Sequence, residues 1–340
     1  MKINIPKLVL MMVLCNSLSF VFAQDPNFSQ YFSSPLTISP ALTGYGESNW
    51  KVMSNIRNQW MGVGSTFRTK TLSADGKLFE DKQYNTIIGN YLGIGGMVLQ
   101  DDAMDGAYRN TYFSLNTAYH VTFDRDGYHG LAVGLGWIYN KTIIDFSQLN
   151  FGEQLSSAGF NRTLPTAETN LTNIPAFSSF CAGLMYTFSN EYTSASIGVS
   201  GYRFIKSKRS VLKDDTQYDA PRYNVHADFD SYLNDYTSVG VSGIYQTQNG
   251  ISSTTVGGNI GFSHAENEFQ DRVLNLGLFY RLGDAIIPYV GYVYNGVQLG
   301  ISYDVTTSNL KSQSVTPNTL EFSLVFRHYK SETHKIPWLR

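Results

Sequence analysis

The stretch Thr111-Tyr-Phe-Ser-Leu-Asn-Thr-Ala-Tyr-His-Val-Thr-Phe123 alternates between two kinds of side chain without interruption. Leu115 falls in a series rich in apolar residues, and Asn116 falls in a mostly polar or small series. Because side chains change face at every residue only in an extended chain, this stretch predicts a β-strand with one apolar and one polar face. Its length is typical of a tilted strand that crosses a bilayer.

Similar alternating segments recur along the chain, and they predict about fourteen strands. Their shared features are an apolar face almost free of charge and a second face of small or polar residues. Arg203 is the exception, and its place at a strand end predicts that it reaches the membrane interface. The segments lie near 50–60, 66–74, 92–100, 111–123, 130–139, 180–188, 195–204, 223–230, 237–246, 254–262, 273–281, 286–294, 297–304 and 319–327.

These segments favour an all-β fold, a transmembrane antiparallel β-barrel over residues 50–327 in the outer membrane. Aromatic residues make up 14% of the chain, with 23 Tyr and 21 Phe, as in barrels that carry aromatic girdles at both membrane interfaces. A soluble β-sandwich also alternates, so alternation alone does not separate the two folds. The strand number, the aromatic content and an export signal favour the barrel.

The two ends of the chain are predicted to lie outside the barrel wall. Residues 1–23 have a basic start, an apolar stretch and a small residue at position 23, which predicts a signal peptide cleaved before Gln24. An uncleaved membrane anchor is the alternative. Residues 328–340 are predicted to form a periplasmic C-terminal tail.

Residues 24–49 contain three prolines and several aromatic residues, which do not fit a membrane strand. This segment is predicted to be an N-terminal plug in the lumen or a periplasmic segment at the inner mouth, with a disordered leader as the alternative. Residues 75–91 are too long for a periplasmic turn, and they predict an extra strand, a helix or a shifted boundary.

The sequence contains no pattern typical of catalysis. Its six His show no metal-ligand spacing, and no Gly-x-Ser-x-Gly motif is present. Gly93-Ile-Gly95-Gly96 resembles a phosphate loop only weakly, and small residues on a barrel wall explain it better. We therefore expect no enzyme activity, no cofactor and no metal. The formal net charge of −2 gives no indication of a nucleic-acid partner.

Four polar residues are predicted to face the lumen, namely Arg57, Asn275, Arg281 and Asp304. Buried charges need partners, so these residues predict an Arg–Asp network that braces the barrel wall. A transport site is the alternative interpretation.

Two stretches resemble the PorP/SprF outer-membrane proteins of the type IX secretion system. The first begins Gln24-Asp-Pro-Asn-Phe-Ser-Gln-Tyr-Phe32 and continues through Pro35-Leu36 and Ser39-Pro-Ala-Leu-Thr-Gly44. The second is Tyr280-Arg-Leu-Gly-Asp-Ala-Ile-Ile-Pro-Tyr-Val-Gly291, followed by Leu299-Gly-Ile-Ser-Tyr-Asp304. The family often has Asn or Leu-Asn where this chain has Ile38-Ser39, and Asn where it has Thr306.

This resemblance implies a non-enzymatic role in protein secretion and, in some bacteria, in gliding motility. It implies that outer loops and the upper lumen bind the C-terminal domain of a secreted cargo or adhesin. It also implies that the N-terminal segment and the C-terminal tail contact periplasmic components of the machine. Outer-membrane lipid would surround the wall.

Two other functions fit the same residues. One is a fourteen-stranded transport channel for small or hydrophobic solutes, which would need an apolar pocket behind the plug. The other is a passive adhesin whose outer loops bind a surface directly.

Overall fold

The structure is a computed structural model that describes residues 25, 27–61, 65–80, 89–157, 159–166, 173–205, 218–264, 272–308 and 317–329. The predicted signal peptide at 1–23 lies outside these residues, as does the predicted tail at 328–340 apart from Tyr329 and His328, which is the last residue of the final strand. No helix among the described residues is long and apolar enough to cross a membrane.

The described strands form a closed antiparallel β-barrel of fourteen strands, which confirms the predicted fold class. Each strand of the wall pairs with the next wall strand in the chain, β5 with β8 included, and β1 pairs with β16 to close the wall. The short strands β6 and β7 form a separate hairpin in the connection between β5 and β8. In chain order the strands are β1 (Trp50–Met61), β2 (Phe67–Leu78), β3 (Tyr91–Ala103), β4 (Tyr108–Thr122), β5 (His129–Ile144), β6 (Leu155–Ser156), β7 (Gly159–Phe160), β8 (Phe177–Ser189), β9 (Thr193–Tyr202), β10 (Arg222–Asn234), β11 (Thr237–Gln248), β12 (Ile251–Ser263), β13 (Arg272–Arg281), β14 (Ala285–Tyr294), β15 (Val297–Thr306) and β16 (Asn318–His328).

The wall has an exposed apolar outer surface and a polar inner surface. In β4, Leu115 is 51% exposed on the outside whereas Asn116 is 5% exposed on the inside. The same alternation runs through β5, β8 and β14. A continuous exposed apolar surface of this kind is typical of a barrel whose outside contacts lipid.

The connections define an outer and an inner end of the barrel. The two longest connections, 145–176 and 203–221, both lie at the end opposite to the start of β1. At the other end the turns include Asn295-Gly296, whose φ angles of 48° and 79° make the tight hairpin that this pair favours. Outer-membrane barrels place long loops outside and short turns in the periplasm, so the long connections mark the outer end.

Of the alternatives predicted for residues 75–91, the described residues show a shifted strand boundary. Strand β2 continues to Leu78 and β3 begins at Tyr91, which shortens the connection between them. The strand continues because Asp75 still faces inward, where it accepts a hydrogen bond from the backbone N–H of Gly44 at 2.6 Å. Residues 81–88 lie outside the described part of the chain.

The described part of the N-terminal segment fills the barrel lumen from the outer end toward the inner end. It contains three short 3-10 helices, Tyr31–Ser33, Pro35–Thr37 and Pro40–Leu42, and most of its residues are buried. Prolines at the helix starts fix the backbone there without losing a hydrogen bond. The segment reaches β1 at the inner end, where the N–H of Asn49 donates to the carbonyl of His328.

Candidate functional site: the plugged lumen and the outer loop

The first anchor of the N-terminal segment is a carboxylate on the closing strand. Glu321 on β16 is fully buried and accepts hydrogen bonds from the backbone N–H groups of Ser29 and Gln30 at 2.8 and 2.9 Å. The side-chain amide of Asn55 on β1 donates to the same carboxylate at 2.7 Å. Glu321 therefore holds the segment on β16, and Asn55 on the neighbouring strand β1 holds Glu321 in place.

Three of the four predicted lumen residues meet beside this anchor. Asp304 lies 2.9 Å from a guanidinium nitrogen of Arg281 and 3.4 Å from one of Arg57. Its carboxylate also accepts a hydrogen bond from the Ser29 hydroxyl at 2.6 Å. The residues thus join an Arg–Asp network, and the network binds the N-terminal segment as well as bracing the wall.

The fourth predicted residue, Asn275, does not join the network. It lines a cavity nearer the inner end, between the N-terminal segment and the wall. Sequence reasoning also missed Glu321 as the main anchor. Its position on the polar face of the last strand was visible in the alternation, but its partners come from the start of the chain, almost three hundred residues away.

A second ion network holds the beginning of the described segment at the outer end. Arg203, just after β9, pairs with Asp25, and its other terminal nitrogen lies 3.4 Å from Asp219. Arg222 at the start of β10 lies 3.3 Å from the same Asp25. The backbone N–H of Asp25 donates to Gln248 at the outer end of β11.

This network corrects the prediction for Arg203. The residue was expected to face lipid at a strand end, but it is only 2% exposed and faces the lumen. The period of two breaks at this residue, because Arg203 has a φ of 63° and no longer follows the strand. The sequence prediction extended the alternation past the end of β9, and it therefore assigned Arg203 to the outer face.

Wall side chains also bind carbonyl groups of the segment. The Tyr202 hydroxyl donates to Leu36 at 2.9 Å, and Asn224 donates to Ile38 at 2.7 Å. A ring nitrogen of His120 lies 2.9 Å from the carbonyl of Thr43. Because buried backbone groups are costly when unpaired, these contacts fix one path of the segment through the lumen.

Glycines on the inner wall leave room for the segment's backbone. A Cβ atom on Gly93 would lie 2.1 Å from the carbonyl oxygen of Thr43. On Gly134 it would lie 2.2 Å from the backbone nitrogen of Ala41. Gly93 of the weak phosphate-loop motif thus allows the close approach of two backbones, in agreement with the small-residue interpretation.

A cavity of about 220 Å³ remains at the inner side of the segment. Aromatic side chains including Phe32, Phe279 and Tyr289 form one part of its lining, and Asp228 and Asp230 of β10 form another. The aromatic rings contact one another edge to face. Within the described residues, no three His, Cys, Asp or Glu side chains are grouped as a metal site would require.

The connection between β5 and β8 forms an ordered platform at the outer end. It contains two 3-10 helices, Phe146–Gln148 and Gly152–Gln154, followed by the β6–β7 hairpin. The buried Gln154 side chain donates to the carbonyl of Leu164 at 3.0 Å. This hydrogen bond joins two parts of the same connection. Hydrogen bonds from Ser147 and Gln148 hold the pKa of the Asp145 carboxyl below its ordinary value.

The hairpin of this platform presents two apolar side chains to solvent. Leu155 and Phe160 are paired across β6 and β7, and both are more than half exposed. They lie in the connection between β5 and β8, outside the strands of the wall. An ordered loop with a paired apolar surface is typical of a protein-binding site.

The resemblance implied periplasmic contacts for the N-terminal segment, but its described residues lie inside the lumen instead. Its backbone groups are bound to the wall, as for Ser29 and Ile38. Only the last residues before β1 reach the inner end.

Comparison with known proteins gives one family and several similar folds. The model of the family described as "Type IX secretion system membrane protein PorP/SprF" matches residues 20–326. No curated protein matches the chain. A Pseudomonas aeruginosa FadL homologue is 10% identical, with a TM-score of 0.51, covering 86% of this chain and 93% of its own. This likeness shows the barrel fold alone.

Two further solved structures are similar at lower scores. The Pseudomonas putida toluene transporter TodX is 7% identical with a TM-score of 0.48, covering 88% of this chain and 93% of its own. The Ralstonia pickettii toluene transporter TbuX is 8% identical with a TM-score of 0.46, covering 88% of this chain and 94% of its own.

Proposed function

The chain belongs to the PorP/SprF family of type IX secretion system membrane proteins, and from this premise we propose that it anchors a secreted protein at the cell surface. In this proposal the C-terminal domain of a cargo or adhesin binds the outer end of the barrel. The barrel provides a fixed support in the outer membrane, and no bond is made or broken.

The observation that carries this proposal is that the N-terminal segment occupies the lumen. The described N-terminal segment occupies it, and Glu321, Asp304 and Arg203 on the wall bind that segment through buried contacts. Such a lumen supports binding at the outer end better than passage of a folded or unfolded chain. The absence of a catalytic motif in the sequence supports a binding role rather than turnover.

The outer platform is our candidate for the cargo contact. Leu155 and Phe160 offer an apolar surface that is held by the hydrogen bonds of its own loop. We assign the contacts with periplasmic components of the secretion machine to the inner turns of the barrel.

The experiment combines a gene deletion with affinity purification of the full-length barrel in detergent. The deletion should remove at least one secreted protein from the cell surface, and that protein should co-purify with the tagged barrel. If no secreted protein changes its location and none co-purifies, the proposal fails.

Matched variants test the platform itself. A double variant, Leu155→Ser with Phe160→Ser, should lose most of the captured cargo, because truncation of the hot-spot residues of an interface costs about 2 kcal/mol or more each. Ser157→Ala in the same hairpin is the control and should capture cargo normally. Equal capture by both variants would place the cargo contact elsewhere.

A transport channel is the alternative, and the cavity of about 220 Å³ beside Phe279 is the observation that favours it. Liposomes that contain the purified barrel distinguish the two functions. Robust solute flux through the unmodified protein would favour the channel, whereas an intact barrel without flux would favour anchoring.

A further inference from the structure

A cluster of basic residues lies on the outside of the wall, at the outer end of strands β2 to β5. Its members are Arg68 and Lys70 on β2, Arg109 on β4 and Lys141 on β5. The Lys70 side chain is 44% exposed and that of Arg109 is 53% exposed. These side chains project toward the membrane rather than into the lumen, as the inward-facing Thr69 between Arg68 and Lys70 shows.

The strand register arranges these residues in two neighbouring rows across the wall. One row runs from Arg68 through Asp102 to Arg109, and the other runs from Lys70 to Lys141 by way of β3 and β4. Neighbouring strands are about 4.8 Å apart, and the two rows are separated by two positions along each strand. The patch therefore measures roughly 14 by 7 Å.

One carboxylate organises this patch. Asp102 lies 3.1 Å from Arg109 and 3.7 Å from Lys70, and the side-chain amide of Gln100 donates to it at 2.9 Å. A second carboxylate, Asp105, lies in the turn beyond the strand ends. Positive charge still predominates among the outward-facing side chains, with four basic residues around the single Asp102.

The patch is confined to one sector of the barrel. On the other described strands, the corresponding outward positions near the outer end carry uncharged residues, for example Asn58 on β1, Tyr223 on β10 and Tyr280 on β13. A general attraction to the interface would distribute basic residues around the whole circumference. Their concentration on β2, β4 and β5 indicates a localised partner.

We infer that this sector binds a phosphorylated lipid of the outer leaflet, with its phosphate groups on the basic patch and its acyl chains along the apolar strands below. Basic side chains at the bilayer midplane are costly, but this cost falls toward the interface, where lipid phosphates lie. Arg in particular makes two parallel hydrogen bonds to one phosphate. The span from Lys70 to Lys141 allows a headgroup with two phosphates to contact both ends.

The experiment measures lipid binding to the purified full-length barrel in detergent by native mass spectrometry. The probes are lipid A with two phosphates, the same lipid with both phosphates removed, and inorganic phosphate alone. Lipid A should bind and remain bound, the dephosphorylated lipid should bind weakly, and equimolar inorganic phosphate should not displace lipid A.

Two single variants provide a matched pair. Arg109→Gln should weaken lipid A binding about fivefold, because one basic residue near a charged membrane surface contributes about 1 kcal/mol. Arg272→Gln removes an outward-facing Arg at the inner end of β13 and should leave binding unchanged within a factor of two. The combined variant of Lys70, Arg109 and Lys141, each to Gln, should weaken binding about a hundredfold.

The shift in gel mobility on heating shows whether each variant is folded. If the combined variant does not fold, the comparison of the two single variants still tests the inference. Equal binding by the Arg109 and Arg272 variants would overturn the inference. Equal binding of dephosphorylated lipid would also overturn it, and displacement by equimolar phosphate would show that the ligand is the free anion rather than a lipid.

Discussion

Replacement of Gly93 by Ala is expected to loosen the N-terminal segment from the wall. The added Cβ would lie 2.1 Å from the carbonyl oxygen of Thr43 and 2.8 Å from its carbonyl carbon. An ordinary contact is about 3.4 Å or more, so the two backbones must separate by more than 1 Å. The obstacle is backbone on both sides, and rotation of a side chain does not relieve it.

The expected cost has two parts. Overpacking of this kind typically destabilises a protein by about 1–3 kcal/mol. The movement also disturbs the contact of 2.9 Å between His120 and the Thr43 carbonyl, and a typical buried hydrogen bond contributes about 1 kcal/mol. Gly93→Ala should therefore lower the free energy of unfolding by about 2–4 kcal/mol.

Gly96→Ala on the same strand is the matched control. Its added Cβ would find its nearest neighbours at 3.4 and 3.5 Å, which are ordinary contacts. This substitution on the outside of β3 should change the free energy of unfolding by less than about 0.5 kcal/mol.

Two measurements on the purified barrel in detergent check this prediction. Urea unfolding gives the difference in stability, and limited chymotrypsin digestion reports release of the segment through cleavage after Phe28, Tyr31 or Phe32. The segment should be protected in the Gly96 variant and cut faster in the Gly93 variant. The same midpoint and the same cleavage rate in both variants would refute the close backbone approach.

Three other substitutions test separate contacts. Leu115→Arg should impair membrane assembly by about 2–4 kcal/mol relative to Asn116→Arg, because only Leu115 faces lipid; heat-modified gel mobility of membrane fractions measures this, and equal yields would contradict the assigned faces. Glu321→Leu leaves two buried backbone N–H groups without their acceptor, at about 1–3 kcal/mol each, and an unchanged urea midpoint would show that Glu321 is not an anchor. Arg203→Leu removes the positive charge between Asp25 and Asp219 and should cost about 3–5 kcal/mol in the same assay, whereas a variant as stable as the parent would indicate a surface position.

The strand pattern could be read from the sequence because it depends on a local rule. The segment 111–123 predicted β4, which the structure places at Tyr108–Thr122. Each residue on one face resembles its neighbours two positions away, so alternation reveals both the strand and its inner face. The rule failed at Arg203, where a positive φ ends the alternation.

The contacts in the lumen were harder to predict from the sequence, because they depend on which strand meets which part of the N-terminal segment. The grouping of Arg57, Arg281 and Asp304 followed from charge and face alone. The role of Glu321 required knowledge that Ser29 and Gln30 pass beside β16, and no local pattern carries that information.

The closing seam of the barrel has a consequence for biogenesis. Asn55 and Glu321 come from the two strands that close the circle; Asn55 donates to Glu321, and Glu321 binds Ser29 and Gln30 of the N-terminal segment. A partly assembled wall with a gap between β1 and β16 would separate this binding site into halves. Pairing of β1 with β16 and insertion of the N-terminal segment into the lumen are thus expected to occur as one cooperative step. Substitutions in the N-terminal segment would then cause barrels with an open seam to accumulate.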